Sequence, residues 1–153
     1  MSLLVFLPET AQDVYDREAD ILRCIYAEEG IQPDSDIIAW LAKYPHTIYL
    51  FYDGDALVGW IRLDDRAMNP ALGKHTVQIH GATLPEYRGW ADEPAKFVMT
   101  LAFKAKKTVI AKVNPNNVGA VGFCRKWNFR KINREHGLDV YALKRSEFER
   151  MAG

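Results

Sequence analysis

Cysteine, long apolar runs and metal-ligand clusters are scarce in this sequence. The 153 residues include two cysteines, Cys24 and Cys124, which are far apart and form no Cys-x-x-Cys pair. This usage favours reduced thiols over a disulfide framework or a zinc site. No stretch approaches the roughly 18 consecutive apolar residues of a membrane span, and MSLLVFLPET at the N-terminus lacks the basic leader of a signal peptide. We therefore expect a cytoplasmic protein with no membrane partner and no bound metal.

Length and composition predict a single domain over residues 1–153. Hydrophobic residues make up 48% of the chain and charged residues 26%, which is ordinary for a globular protein. A chain of this size buries roughly 70% of its unfolded surface. No repeat, linker or low-complexity tract interrupts it.

The formal net charge of zero conceals an asymmetry between the two halves of the chain. Residues 1–76 contain 6 Lys and Arg against 13 Asp and Glu, whereas residues 77–153 contain 14 against 7. A basic surface attracts polyanions. The simpler alternatives are that the halves face each other or that the charges only solvate helices. Nucleic acid is not the expected partner, because the four tryptophans are interpreted as core or rim residues, not as a base-stacking platform.

Apolar periodicity and turn signals predict a mixed α/β chain. The predicted order is β-α-α-β-β-β-α-β-α-β-β, which favours an α/β fold with a mixed central β-sheet and helices on both faces. The predicted elements are a strand at 3–7, helices at 10–30 and 35–44, a hairpin of 46–52 and 56–63 around Asp53-Gly54-Asp55, a strand from Thr76, a helix from Asp92 to about Lys107, a strand at 108–113, a helix ending at Lys126 before Asn128 in the left-handed conformation, a strand pair at 129–132 and 139–143, and a helix at 144–151.

The stretch from Thr76 to Phe103 carries the strongest functional signal. A β-rich run breaks at Pro85, passes through a loop containing Gly89 and opens a helix at Asp92. Loop N–H groups and the positive end of the helix dipole converge there, which makes a potential anion site. We predict that the strand ends near Pro85 and that the helix begins within two residues of Asp92.

Two segments resemble motifs of the GNAT superfamily of N-acyltransferases. Residues 83–89, TLPEYRG, are similar to the start of its pyrophosphate loop, Val-x-Pro-x-Tyr-Arg-Gly-x-Gly-x-Gly/Ala, although Ala91 and Glu93 replace the later small residues. Residues 113–129 are similar to its Val-x-x-x-Asn-x-x-Ala-x-x-Phe-Tyr-x-Lys-x-Gly-Phe motif. The resemblance covers nearly the whole chain and implies a GNAT-like acyl-CoA N-acyltransferase fold, acetyl-CoA as cofactor and an amine acceptor.

The resemblance also implies site residues. The central strand would splay from its neighbour and expose backbone N–H groups that polarise the acyl carbonyl. The strand carries no carboxylate, so His80 is the candidate base, with a packed histidine as the alternative. Cys124 occupies the position of the family's acidic tyrosine, with a small buried hydrophobe as the alternative. Asp64 and Asp65 are interpreted as loop solvation. The cofactor-binding candidates are Ala82, Thr83, Arg88, Gly89, Trp90, Ala91 and Asn117.

The carboxylate of Glu93 predicts weak binding of acetyl-CoA. A carboxylate about 5 Å from a phosphate costs roughly 3 kcal/mol at an effective dielectric near 20. We therefore expect a dissociation constant for acetyl-CoA of about a millimolar or worse. The alternative function is a non-catalytic assembly module, similar to the compact GNAT-like proteins encoded among the virion-assembly genes of tailed phages. That reading implies a virion-associated protein with a protein partner or a homo-oligomer.

Overall fold

The computed structural model describes residues 2–5, 48–67, 69–87 and 92–152. The two helices predicted between 10 and 44, Cys24 and the loop at 88–91 lie outside these ranges. The elements within them are the strands β1 (Ser2–Val5), β2 (Ile48–Asp53), β3 (Ala56–Asp64), β4 (Thr76–Thr83), β5 (Thr108–Val113), β6 (Arg130–Glu135) and β7 (Leu138–Lys144), and the helices α1 (Asp92–Ala105), α2 (Val118–Lys126) and α3 (Arg145–Ala152).

The predicted break after the central strand is confirmed. Strand β4 ends at Thr83, a 3₁₀ turn covers Pro85–Tyr87, and α1 begins at Asp92. Proline stops the ladder because it has no N–H to donate. The acidic residues Asp92 and Glu93 in the first turn of α1 favour a helix start there.

The chain divides into two compact units, described separately below. The first unit comprises Met1–Arg62 and Gly81–Ala95, and the second comprises Leu63–His80 and Lys96–Gly153. Strands β3 and β4 and helix α1 each contribute residues to both units.

The first unit contains an antiparallel arrangement of β1, β2 and β3. Strand β1 pairs with β2 from Ser2↔Tyr52 to Val5↔Tyr49, and β2 pairs with β3. The predicted hairpin turn is confirmed, with Gly54 at φ +59°, a backbone conformation that glycine adopts without steric cost. Gly81 lies against β3, since a Cβ there would approach the carbonyl oxygen of Trp60 to 3.1 Å. The core side chains of β2 and β3 in this unit include Leu50, Phe51, Val58 and Trp60.

The second unit contains a mixed sheet with the strand order β4-β5-β7-β6. Strands β4 and β5 are parallel, β5 and β7 are antiparallel from Thr108↔Lys144 to Val113↔Asp139, and β6 and β7 form an antiparallel hairpin. The mixed pairing and the helices confirm the predicted α/β class. Asn128 has φ 57°, so its predicted left-handed conformation after α2 is confirmed as well.

Helix α1 has two apolar rows, of which one is buried. Phe97, Leu101 and Ala105 recur every four residues, but Phe97 is 53% exposed. On an α-helix Lys104 shares the Phe97 face, so turning that face inward would bury an ammonium group. The opposite face supplies the buried side chains of Ala95, Val98, Met99, Ala102 and Phe103.

Candidate functional site

Strands β4 and β5 pair over only three positions. Thr76, Val77 and Gln78 face Thr108, Val109 and Ile110. Among the described residues of the second unit, the two strands then continue without further pairing to each other, β4 through His80 and β5 to Val113. The other edge of β5 stays paired with β7 to Val113↔Asp139. Within the described residues of the second unit, the edge of β5 that faces β4 is therefore not paired with β4 after Ile110.

His80 lies just past the point where this pairing ends. Its Nε2 is 3.0 Å from Oδ2 of Asp64, the last residue of β3, and the two side chains are 24% and 11% exposed. The distance suits a hydrogen bond, but the direction does not, and Nε2 has no aligned acceptor. A small rotation of the imidazole ring would align Nε2 with the carboxylate oxygen. A carboxylate beside an imidazole orients the ring and stabilises its protonated form.

The loop-solvation interpretation of Asp64 was wrong. Strand β3 extends one residue beyond the predicted end at Leu63, and Asp64 is a buried residue of that strand. Alternation along β3 places Asp64 on the same face as Trp60 and Arg62, and this alternation was the signal that could have identified it. Asp65 does lie in a turn, where its Oδ1 accepts a hydrogen bond from the N–H of Ala67 at 2.9 Å.

Cys124 is a core residue. Its side chain is 1% exposed, and burial raises the pKa of its thiol to about 12. A thiol with this exposure packs against its neighbours and does not reach a substrate, so the structure supports the buried-hydrophobe interpretation and gives no support to an acid role.

The predicted cofactor-binding residues fall in different places. Ala82 and Thr83 are the last two residues of β4 and belong to the first unit. Asn117 belongs to the second unit, where it is the N-cap of α2 and its Oδ1 accepts a hydrogen bond from the N–H of Ala120 at 3.1 Å. The predicted residues Arg88, Gly89, Trp90 and Ala91 lie outside the described residues.

Glu93 is exposed in the first turn of α1. Solvent screens an exposed carboxylate, so its repulsion of a nearby phosphate is smaller than the sequence estimate assumed.

Within residues 2–5, 48–67, 69–87 and 92–152, no three His, Cys, Asp or Glu side chains are grouped so that they could hold a metal ion. Among the helices of the same residues, none combines the length and apolarity that a membrane crossing requires.

Comparison with known proteins identifies the fold. No family model and no curated protein matches the sequence, but solved structures do. An N-acetyltransferase from Staphylococcus aureus Mu50 is 17% identical with a TM-score of 0.66, over 94% of this chain and 97% of that one. A GNAT-family acetyltransferase from Bacillus anthracis is 22% identical with a TM-score of 0.65, over 93% of each chain. The aminoglycoside acetyltransferase AAC(6')-Ib, solved in complex with coenzyme A, is 14% identical with a TM-score of 0.69, over 99% of each chain.

These likenesses are all below 25% identity, so they bear on architecture alone. They confirm, at the level of the fold, the GNAT resemblance that the two sequence motifs carried. The chain has the fold of the GNAT N-acetyltransferases.

Proposed function

We propose that this protein is a CoA-dependent N-acyltransferase in which His80 is the general base and Asp64 orients it. The observation that carries the proposal is the 3.0 Å approach of these two side chains beside the point where β4 and β5 stop pairing. The fold supports it, because AAC(6')-Ib has been solved with coenzyme A and, in a second structure, with coenzyme A and kanamycin.

The residues present fit a CoA thioester. The edge of β5 after Ile110 offers backbone groups that are not used in pairing with β4, and these suit the extended amide chain of the cofactor. Acetyl-CoA, when bound, supplies an acyl group activated as a thioester. Backbone N–H groups at Ala82 and Thr83 are proposed to donate to the acyl carbonyl oxygen. Arg88 to Ala91 and Asn117 are proposed to bind the pyrophosphate.

His80 accepts the proton of the acceptor amine in this proposal. An amine is mostly protonated at neutral pH and must lose that proton before its nitrogen can attack a carbonyl carbon. Nε2 of His80 is buried beside Asp64, so we assign proton acceptance to Nδ1. Asp64 stabilises the imidazolium that forms. As the new C–N bond forms and the C–S bond breaks, the imidazolium would return this proton to the leaving thiolate, and the second proton lost by the amine nitrogen would pass to solvent. This assignment needs no acid at Cys124.

In this proposal, Glu93 lowers the affinity of the protein for acetyl-CoA. We expect wild-type protein to bind acetyl-CoA with a dissociation constant of about a millimolar. Replacing Glu93→Gly together with Ala91→Gly removes a charge and a Cβ from the proposed pyrophosphate site. Because Glu93 is exposed, we expect a gain of about five- to tenfold in affinity. Isothermal titration calorimetry at fixed ionic strength measures it.

Thermal unfolding must accompany that titration, because glycine in a helix costs about 1 kcal/mol of stability. Micromolar binding by the wild type would show that Glu93 points away from the site. A folded variant that binds no acetyl-CoA would favour the non-catalytic assembly module, for which the fold serves only as a scaffold.

Catalysis itself is tested by release of the CoA thiol from acetyl-CoA in the presence of candidate amines. Kanamycin, a polyamine and a peptide with a free N-terminus cover three acceptor classes. We expect thiol release that depends on one class of amine. Release that ignores the amine would indicate thioester hydrolysis and would contradict an N-acyltransferase.

A further inference from the structure

A polar groove lies in the second unit, at the opposite end of β5 from His80. It has a volume of about 590 Å³ and is formed by the end of α2, the start of β6 and the outer face of α3. Three arginines line it, Arg125, Arg130 and Arg150, together with Asn128, Glu147 and Met151.

The topology separates this groove from the candidate catalytic site. Helix α2 begins after the C-terminal end of β5 and runs back to Lys126. Helix α3 follows Lys144, which pairs with Thr108, the first residue of β5. The groove therefore lies near the start of β5, whereas His80 lies beyond the last β4–β5 pair, Gln78↔Ile110.

The arginines of the groove are only partly neutralised. The Arg130 guanidinium is 3.1 Å from the Glu147 carboxylate. Arg125 and Arg150 are exposed and have no ion pair among the described residues. Three guanidiniums and one carboxylate leave the groove with a net charge of +2. The negative ends of α2 and α3 each favour one nearby arginine, but they do not account for three arginines around a single groove.

Helix α3, which carries Arg150, is held in place by hydrogen bonds and aromatic contacts. The backbone N–H of Arg145 donates to the carbonyl oxygen of Lys107 at 2.9 Å, and its guanidinium donates to the carbonyl oxygen of Lys106. Phe148 of α3 packs against Phe103 at 5.1 Å and against Trp127 at 5.9 Å between ring centroids. Arg145 and Phe148, three residues apart on one face of α3, thus fix the start of this helix, which preorganises the groove for a ligand.

We propose that this groove binds the phosphate group of a phosphate monoester. A phosphate dianion neutralises the net charge of +2, and the planar guanidinium fork matches phosphate oxygens in bidentate geometry. Met151 is 37% exposed at the groove and provides an apolar contact for the organic part of the ester. The site is independent of the proposed acyl transfer and does not require it.

Two probes, inorganic phosphate and phenyl phosphate, test the proposal by NMR titration of arginine Nε–H and backbone amide signals. We expect saturable shifts confined to the groove residues. Tighter binding of phenyl phosphate assigns the site to an ester, and equal affinity of the two assigns it to free phosphate. The double variant Arg125→Gln/Arg150→Gln should lose about tenfold or more in affinity. Glu147→Gln should increase the affinity, because it releases Arg130.

The matched control is Lys104→Gln/Lys107→Gln, which removes the same charge from exposed positions outside the groove lining. We expect this control, and His80→Gln, to leave phosphate affinity unchanged. An equal loss in the lysine variant would show that only net charge attracts the anion, and would overturn the proposal. Absence of saturable shifts up to about 20 mM of either probe would overturn it too. Thermal unfolding of each variant confirms that it is folded.

Discussion

Two buried carboxylates of the second unit have different kinds of partner. Asp139 is 4% exposed, and its Oδ1 accepts a hydrogen bond from Arg134 Nε at 2.9 Å and lies 3.3 Å from Lys131 Nζ. Asp64 is 8% exposed and lies beside the imidazole of His80. Arginine and lysine stay charged at neutral pH, whereas imidazole is the side chain that exchanges a proton near neutrality. We infer that Asp139 stabilises the β6–β7 hairpin and that Asp64 takes part in proton transfer.

Asp139 shows the electrostatic behaviour of a structural ion pair. The hydrogen bond from Arg134, and then the hydrogen bond from Lys131, lower the pKa of its carboxyl, against the opposing effect of burial. A folded-state pKa below the unfolded value means that the stabilisation is fully present above about pH 4 and is lost as the pH falls through the folded pKa. Chemistry near neutral pH therefore leaves Asp139 in one charge state.

Of the changes to the two carboxylates, Asp64→Asn has the larger predicted effect, which is on turnover. The amide keeps the shape of the side chain but cannot stabilise an imidazolium on His80. We expect kcat to fall by about a hundredfold, within the range that general-base catalysis contributes. Steady-state kinetics measure it, and thermal unfolding checks the fold. Unchanged kcat in a folded variant would place Asp64 among the structural carboxylates.

Asp139→Asn is the reciprocal change, and its effect should appear in stability. The variant loses the charge that holds Lys131 and Arg134, so we expect a lower Tm at pH 7 with kcat per folded molecule unchanged. Below about pH 4 the difference in Tm from wild type should shrink as the pH falls towards the lowered folded-state pKa of Asp139, because the stabilisation by the ionised carboxylate is lost over that range. If kcat falls as far as it does in Asp64→Asn, the distinction between the two carboxylates fails.

The smallest predicted effect belongs to Cys124→Ala. Burial and a pKa of about 12 for the thiol predict that the native protein reacts with a thiol reagent at this position only as fast as it unfolds. The alanine variant should lose about 1 kcal/mol of stability from the small cavity and retain its kcat. Rapid labelling of Cys124 in the native state, or a large loss of kcat, would restore it as a candidate acid.

The sequence predicts the features that depend on local backbone chemistry. Pro85 has no N–H for the ladder, Gly54 adopts the left-handed conformation of the turn, and Asn128 tolerates the same conformation after α2. Each of these outcomes is determined within a few neighbouring residues, so the strand end, the hairpin and the helix end were all predictable.

The pairing of Asp64 with His80 was not predictable in the same way. Asp64 ends β3 and His80 lies in β4, which is the neighbouring strand of the sheet. The separation of the two residues in sequence does not indicate that their side chains approach each other. Spacing alone does not decide which face of α1 is buried, because both of its apolar rows have helical spacing. Lys104 beside Phe97 is the local feature that excludes the wrong row. The arginine groove likewise joins residues from α2, β6 and α3 that only the tertiary fold brings together.

The most direct test of the central claim is the acetyl-transfer rate of His80→Gln beside that of the wild type, with the acetyl-CoA affinity of both measured by calorimetry. If His80 is the general base, kcat falls by about 10² to 10⁴ while the dissociation constant for acetyl-CoA stays the same. A folded His80→Gln protein with wild-type kcat would contradict the assignment of His80 as the base.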